Sequence, residues 1–320
     1  MSASLCLPPQ IELCHLPAEF PLASGESLRG AVLACERQGP ANAPVVVVLG
    51  GISAGRHVSA HAAVPGPGWW EGIVGPGLAI DTNRWQVLAI DWLGGHGAST
   101  APAAGESFPL VGPADQAAAL AVLLDRLRLP PLRALVGCSY GGMVGLQFAA
   151  QFPQHLQQLV VIAAAHRNHA QAVAQRALQR GIVELGLRHG AGAAAVALAR
   201  GLALCSYRTP QEFAERFANA SGGDWLLRHG ARFAEQWTAE QYLSLCRSLD
   251  AHAIKPAAVT VPTSLCSIVD DQLVPPELMA ELAAGLPQLR RLQRVRSRYG
   301  HDGFLKETRT IGSFLREVLA

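Results

Sequence analysis

Gly137-Cys138-Ser139-Tyr140-Gly141 stands between an apolar run, Arg133 to Gly137 (RALVG), and a helical pattern, Gly142 to Gln151 (GMVGLQFAAQ), that stops before Pro153. G-x-S-x-G by itself is a common pattern. Set between a buried strand and a helix, it reads as a nucleophile elbow. A serine at the tip of such a turn is held in a strained backbone conformation, and side chains two residues to either side would collide. Gly137 and Gly141 supply the missing side chains, and Gly142 gives clearance where the helix packs on its strand. Cys138 precedes the tip, so its side chain is expected to turn into the core, where a free cysteine behaves as a small hydrophobe.

Outward from the elbow, the chain alternates strand and helix signals. Val45 to Leu49 (VVVVL), Gln86 to Asp91 (QVLAID), Gln158 to Ala163 (QLVVIA) and Thr263 to Val269 (TSLCSIV) read as strands buried on both faces. Ala114 to Leu129 carries apolar residues at helical spacing, and Pro113 and Asp115 suit its N-terminus. Such alternation predicts an α/β fold, a mostly parallel sheet covered on both faces. Between about His166 and Lys255 the strand signals give way to Ala, Leu, Gln and Arg at helical spacing. The predicted organisation is a core of residues 1–165 and 256–320, with a helical lid insertion at 166–255 over the C-terminal edge of the sheet, where ligands of open α/β sheets bind. Phe304 to Leu319 reads as a closing amphipathic helix.

Composition narrows the function. With half the residues hydrophobic, 16% charged and a net charge of +2, neither disorder nor an electrostatic nucleic-acid footprint is expected. The densest basic stretch, Arg290 to Arg298 (RRLQRVRSR), contains Leu292 and Val295 and reads as a half-exposed strand with solvated charges. Seven scattered cysteines without a C-x-x-C pair suit reduced thiols. The N-terminus (MSASLCLPPQIELC) lacks a basic n-region and a long apolar h-region, and no uncharged apolar stretch reaches the ~18 residues of a membrane span. The expectation is a cytoplasmic protein without a membrane partner.

A serine hydroxyl becomes a useful nucleophile when a base takes its proton, and that base needs a third group to orient it. On this architecture the partners follow in the order Ser, Asp or Glu, His. The acid is expected in the loop after TSLCSIV, where Asp270 and Asp271 are both candidates. The base is expected after the last strand, and of eleven histidines His301, in Arg298-Tyr299-Gly300-His301-Asp302-Gly303, has the required order and context. One oxyanion donor would be the N–H of Tyr140, after the nucleophile, and the other would come from Gly50-Gly51-Ile52-Ser53-Ala54-Gly55. That loop lacks both the Lys-Ser/Thr of a P-loop and the G-x-G-x-x-G spacing. His57/His61 and His166/His169 could share helical faces, but neither pair has an H-E-x-x-H glutamate or a nearby cysteine cluster, so no metal is expected.

Several further segments resemble the homoserine O-acetyltransferase family, α/β-hydrolase-fold enzymes of methionine biosynthesis. They are Gly68-Trp69-Trp70, Ile73 to Gly77, Ile80 to Arg84, Leu93 to Thr100, Ser206-Tyr207-Arg208, Asp271 to Pro276 and Tyr299 to Asp302. The resemblance implies Ser139 as nucleophile, Asp271 rather than Asp270 as acid, and His301 as base. It also implies Ile52 and Tyr140 amides as the oxyanion hole, and Arg208 with Asp302 as the pair that recognises an amino-acid acceptor. It departs at Gly50 to Ala54, where the family reads His-Ala-Leu-Thr-Gly. Succinyl-CoA-using members carry an arginine two residues after the catalytic aspartate, where this chain has Leu273, so acetyl-CoA is the expected donor. The implied reaction is acetyl transfer to homoserine by double displacement, with no bound cofactor, acetyl-CoA as co-substrate, and a homodimer. A succinyl donor or a serine acceptor is the nearest alternative. An esterase or thioesterase, or a catalytically silent binding protein, would use the same fold differently.

Overall fold

Val45 to Leu49 is apolar at every position because both faces of its strand are covered. In the computed structural model, which describes residues 6–61, 64 and 66–320, Val45, Val47 and Leu49 pack on one side with Leu120 and Leu124 and with Val144 and Phe148. Val46 and Val48 pack on the other with Phe314 and Leu315. The strand is the third of eight in one sheet: β1 (Cys6–His15), β2 (Val32–Pro40), β3 (Val45–Leu49), β4 (Gln86–Ile90), β5 (Ala134–Cys138), β6 (Leu159–Ile162), β7 (Thr263–Ile268) and β8 (Leu289–Val295). Their order is β1-β2-β4-β3-β5-β6-β7-β8. The block from β4 to β8 is parallel, and β1 and β2 add an antiparallel edge. After β3 the chain steps to one side for β4 and returns past β3 for β5. The loops after β3 and β5 therefore emerge side by side, with Leu49 paired to Gly137. This is the kind of switch point at which open α/β sheets bind ligands.

The two N-terminal strands escaped the sequence reading. Glu36, Arg37 and Gln38 interrupt β2 and hide its apolar character, yet Glu36 and Gln38 are buried. Each finds a partner: Arg37 Nε donates to Glu12 at 3.0 Å, and Gln38 Nε2 donates to Ser59 Oγ at 2.8 Å. His61 Nε2 lies 2.8 Å from Glu36 Oε1. Partnered polar groups can be buried without the cost that otherwise excludes them. Residues 1–5, the start of the segment read for a leader, lie outside the described residues.

Helices α1 (Pro113–Arg126) and α2 (Tyr140–Gln151) flank the sheet, and five more follow β6: α3 (Ala170–Arg188), α4 (Gly192–Tyr207), α5 (Pro210–Arg216), α6 (Gly222–Ala234) and α7 (Ala239–Asp250). The small residues of this inserted set let its helices approach closely. A Cβ on Gly186 of α3 would overlap Ala195 of α4, and one on Gly230 of α6 would overlap the Ala197 backbone. The set is tied down by Arg176 Nε to Asp250 at 2.6 Å and by Asn168 Nδ2 to the Leu249 carbonyl at 2.8 Å. After β7 comes α8 (Pro276–Gly285), and after β8 the expected closing helix is two: α9 (Gly303–Lys306) and α10 (Thr308–Leu319). Glu307, at φ −87° and ψ 48°, breaks the helical path. The break lets Phe304 face the cavity beside Ser139 while Ile311, Phe314 and Leu315 cover the sheet. Among the described residues, no helix is long and apolar enough to cross a membrane.

Candidate active site

Ser139 follows β5 directly and caps α2 with φ 52° and ψ −119°, a region a side-chain-bearing residue enters only when its surroundings enforce it. Two hydrogen bonds do so. Ser139 N donates to Ile162 O at 2.9 Å, and Gly141 N donates to Gly50 O at 2.8 Å. The neighbouring glycines are sterically required: a Cβ on Gly137 would overlap the Gly141 carbonyl, and one on Gly141 the Leu49 carbonyl. Cys138 is fully buried among Val136, Cys266 and Ile268, and burial holds its thiol well above the usual range.

The loops after β5, β7 and β8 bring three side chains into line. Ser139 Oγ is 2.7 Å from His301 Nε2, and His301 Nδ1 is 2.6 Å from Asp271 Oδ2. A carboxylate only accepts, so Nδ1 carries the proton and Nε2 is the free lone pair facing the hydroxyl. Asp271 Oδ1 accepts from Leu273 N at 2.8 Å and Val274 N at 3.0 Å, which fixes its carboxylate plane. Asp270 turns away and accepts from Ser297 N at 3.0 Å. Burial alone would lower the pKa of His301. The Asp271 charge, its hydrogen bond and the nearby Asp302 together outweigh that and hold it above the ordinary 6.5. Gly300, at φ +57°, carries the histidine loop past the end of α4, where a Cβ would stand 2.7 Å from Tyr207 O.

The loop after β3 is anchored from beneath. Asp91 accepts from Arg56 N at 2.9 Å and from Ala98 N at 2.8 Å, and it pairs with the Arg56 guanidinium. Trp92 Nε1 donates to Gly51 O at 3.1 Å. Ile52 thereby borders the cavity with Ser139. The Tyr140 side chain is buried elsewhere, with its hydroxyl 2.6 Å from Ser248 Oγ, which leaves only its backbone for the site.

A cavity of about 220 Å³ lies over Ser139 and His301, roofed by the inserted helices and walled partly by Leu273 and Asp302. Arg208 does not border it. Its Nε donates to Asp302 Oδ2 at 2.7 Å and its NH1 to Glu212 at 3.2 Å, and it faces a second cavity with Arg298 and Lys306. Three other arginines, Arg167, Arg176 and Arg200, do line the Ser139 cavity and were missed in the sequence. Arg200 had a readable signal, being the one charged residue in the Ala- and Leu-rich α4. Away from this cavity, His57 and His61 meet Glu36 with ligand atoms all within 4.8 Å, a group that could hold a metal ion. The glutamate absent from their own segment comes from β2, which is why spacing could not reveal it.

A family model described as the alpha/beta hydrolase fold matches residues 44–308. A homoserine O-succinyltransferase of Xanthomonas campestris pv. campestris is 43% identical over 89% of this chain and 78% of its own length. A homoserine O-acetyltransferase of Leifsonia xyli subsp. xyli is 34% identical over 94% of this chain and 87% of its own. The crystal structure of a homoserine O-acetyltransferase from Staphylococcus aureus superposes with a TM-score of 0.86 at 25% identity, covering 97% of this chain and 95% of the other. Identity of this level, sustained across both chains and joined to the shared sheet, establishes that this chain belongs to the homoserine O-acyltransferases, an acyltransferase family built on the α/β-hydrolase fold.

Proposed function

We propose that this chain moves an acyl group from a coenzyme A thioester to the hydroxyl of homoserine by double displacement. The observation that carries the reading is the bonded line Ser139–His301–Asp271 beneath a covered cavity. His301 Nε2 takes the Ser139 proton as Oγ attacks the thioester carbonyl, and the Ile52 and Tyr140 amides receive the oxyanion. The C–S bond breaks and the sulfur leaves with the proton from His301. His301 then takes the homoserine hydroxyl proton as that oxygen attacks the acyl carbonyl, and passes it to Ser139 Oγ as the acyl–Oγ bond breaks. Asp302, held in place by Arg208, would offer its other carboxylate oxygen to the acceptor ammonium. The inserted helices favour transfer over hydrolysis by keeping bulk water from the acyl-enzyme. In this reading the protein needs no bound cofactor and works in the cytoplasm. Exposed leucines on α3, α4 and α6 (Leu178, Leu185, Leu198 and Leu227) support pairing of two copies through the inserted helices.

Two observations bear on the donor from opposite sides. Leu273 at the cavity wall offers a donor carboxylate no partner and favours acetyl-CoA, whereas the relative at 43% identity is named a succinyltransferase. The deciding experiment gives the protein acetyl-CoA or succinyl-CoA with homoserine, serine or no acceptor, and follows CoA release and the O-acyl product. After a first equivalent of CoA per site, released on acylation of Ser139, further release should depend on homoserine. Multiple-turnover release equally fast without any acceptor would make the protein a thioesterase and end the transferase reading.

His301 must be neutral to act as base, so acylation is lost as pH falls through its pKa. Because that pKa is held above 6.5, the acid limb of kcat/KM for the thioester should lie above pH 6.5. Asp302 contributes to the elevation, so Asp302→Asn should shift the limb downward. The readout is single-turnover acylation without acceptor, which removes any effect on homoserine binding. A limb below 6.5, or one unmoved by the substitution, would contradict this account of the site.

A further inference from the structure

Glu36 is 3% exposed in the middle of β2, and among the described residues no lysine or arginine pairs with it. A buried carboxylate without a cation is costly. Two imidazoles approach it instead. His61 Nε2 lies 2.8 Å and His57 Nδ1 3.2 Å from the same oxygen, Oε1, while Oε2 is buried without a hydrogen-bond partner. One donor atom from each of the three residues lies within 4.8 Å of the others. Tetrahedral coordination with bonds of about 2.0–2.1 Å sets its donors about 3.4 Å apart, so modest shifts would bring these three onto one ion. His57 shows which of its nitrogens is free for the purpose. Its Nε2–H donates to the Gly66 carbonyl at 3.3 Å, so the neutral ring keeps its lone pair on Nδ1. That lone pair faces the Glu36 oxygen, and two electron pairs so placed repel unless a cation lies between them. A ring N–H given to a backbone carbonyl is also the usual support of a metal-bound histidine, because it fixes the tautomer and the ring plane.

We propose that Glu36, His57 and His61 bind a divalent transition-metal ion, zinc foremost. Two imidazoles and one carboxylate suit such an ion, whereas Mg²⁺ and Ca²⁺ prefer sets made only of oxygen. Three protein donors leave a fourth position for water, reached past His57, whose side chain is 23% exposed. The carboxylate charge is then matched, Oε2 included. The ion joins β2 to the segment that follows β3. In that segment His57 O accepts from Trp69 N at 3.2 Å and Val58 O from Trp70 N at 2.9 Å, and Trp69 reaches the Ser139 cavity. The ion is therefore a clamp behind the cavity wall, and no step of acyl transfer passes through it. The inference is independent of the acyl-transfer reading.

The test uses the full chain without a polyhistidine tag, carrying Cys205→Ser because Cys205 is an exposed thiol that can itself take zinc. Equilibrium dialysis against Zn²⁺ with elemental analysis should find one ion per chain, undisturbed by a large excess of Mg²⁺ or Ca²⁺. The unfolding temperature should rise with Zn²⁺ concentration, as it does for any ligand that binds the folded state alone. Co²⁺ in place of Zn²⁺ should give the intense visible bands of a four-coordinate site. Glu36→Gln removes the charge while keeping the shape, and His57→Ala removes the donor at the partly exposed edge. Each should weaken binding by about 100-fold or more, since even the residues that support metal ligands are worth 10–100-fold in affinity. Circular dichroism establishes that both variants fold. If one does not, the Co²⁺ spectrum and the zinc-dependent unfolding of the parent protein still decide. Zinc bound with an affinity that neither substitution changes would be an adventitious ion only and would overturn the proposal. So would the absence of stoichiometric binding, or the weak bands of six-coordinate Co²⁺. None of these readouts requires turnover, so a failure of the acyl-transfer reading would leave them unchanged.

Discussion

Ser139→Ala should yield a folded protein that releases no CoA from either thioester and gains no acyl mass. The strained backbone at residue 139 is set by the Ser139 N–H bond to Ile162 and by the contacts of Gly137 and Gly141, all of which alanine preserves. The substitution removes only Oγ, the atom 2.7 Å from His301 Nε2. Loss of a triad nucleophile costs several orders of magnitude, up to ~10⁶ in a serine protease, because no remaining group can form the covalent intermediate. Turnover should therefore fall to background while the unfolding temperature stays close to wild type. A variant that kept even about a tenth of the activity would show that acyl transfer does not pass through Ser139. Direct attack by an activated acceptor would then replace double displacement.

The parts of the fold that could be read from the sequence are those where a local pattern has one physical meaning. VVVVL can only be a strand buried on both faces, and the glycines around Ser139 mark the collisions that the folded elbow would otherwise suffer. The same holds for His301, whose loop follows the last strand and whose preceding glycine adopts a positive φ. Partners contributed by distant segments were harder to see. β2 was invisible because its central residues are polar, and their partners, Glu12, Ser59 and His61, lie on other segments. Arg208 and Asp302 were expected to share a substrate, but they are bonded to each other, a relation that no spacing in the chain discloses. Arg200 was legible in principle as a lone charge in an apolar helix. That it borders the Ser139 cavity is a property of the fold alone.

Physical reading of the chain left Asp270 and Asp271 open as the acid, and only the family resemblance preferred the second. Asp271→Asn and Asp270→Asn should therefore separate by orders of magnitude. Asp271 Oδ2 accepts from His301 Nδ1, and its Oδ1 is tied to the Leu273 and Val274 amides. In Asp271→Asn the amide carbonyl can keep the two backbone bonds, but this turns the NH₂ toward His301. The ring is then pushed into the tautomer with its proton on Nε2, which cannot accept from Ser139. The matching substitution in a serine protease costs about 10⁴-fold in kcat, and a loss of that order is expected here. Fixing the imidazole with the wrong nitrogen protonated also predicts partial recovery at high pH if hydroxide can serve as base. Asp270→Asn is different, because its Oδ2 accepts from the Ser297 amide and touches no catalytic group. An asparagine oxygen can accept the same bond, so turnover should remain near wild type. Asp270→Ala should instead destabilise the fold by roughly 1–3 kcal/mol, the cost of stranding a buried N–H, with little effect on the pH profile. If Asp270→Asn proved the more damaging of the two asparagine variants, the His301–Asp271 bond would not be the one that catalysis uses.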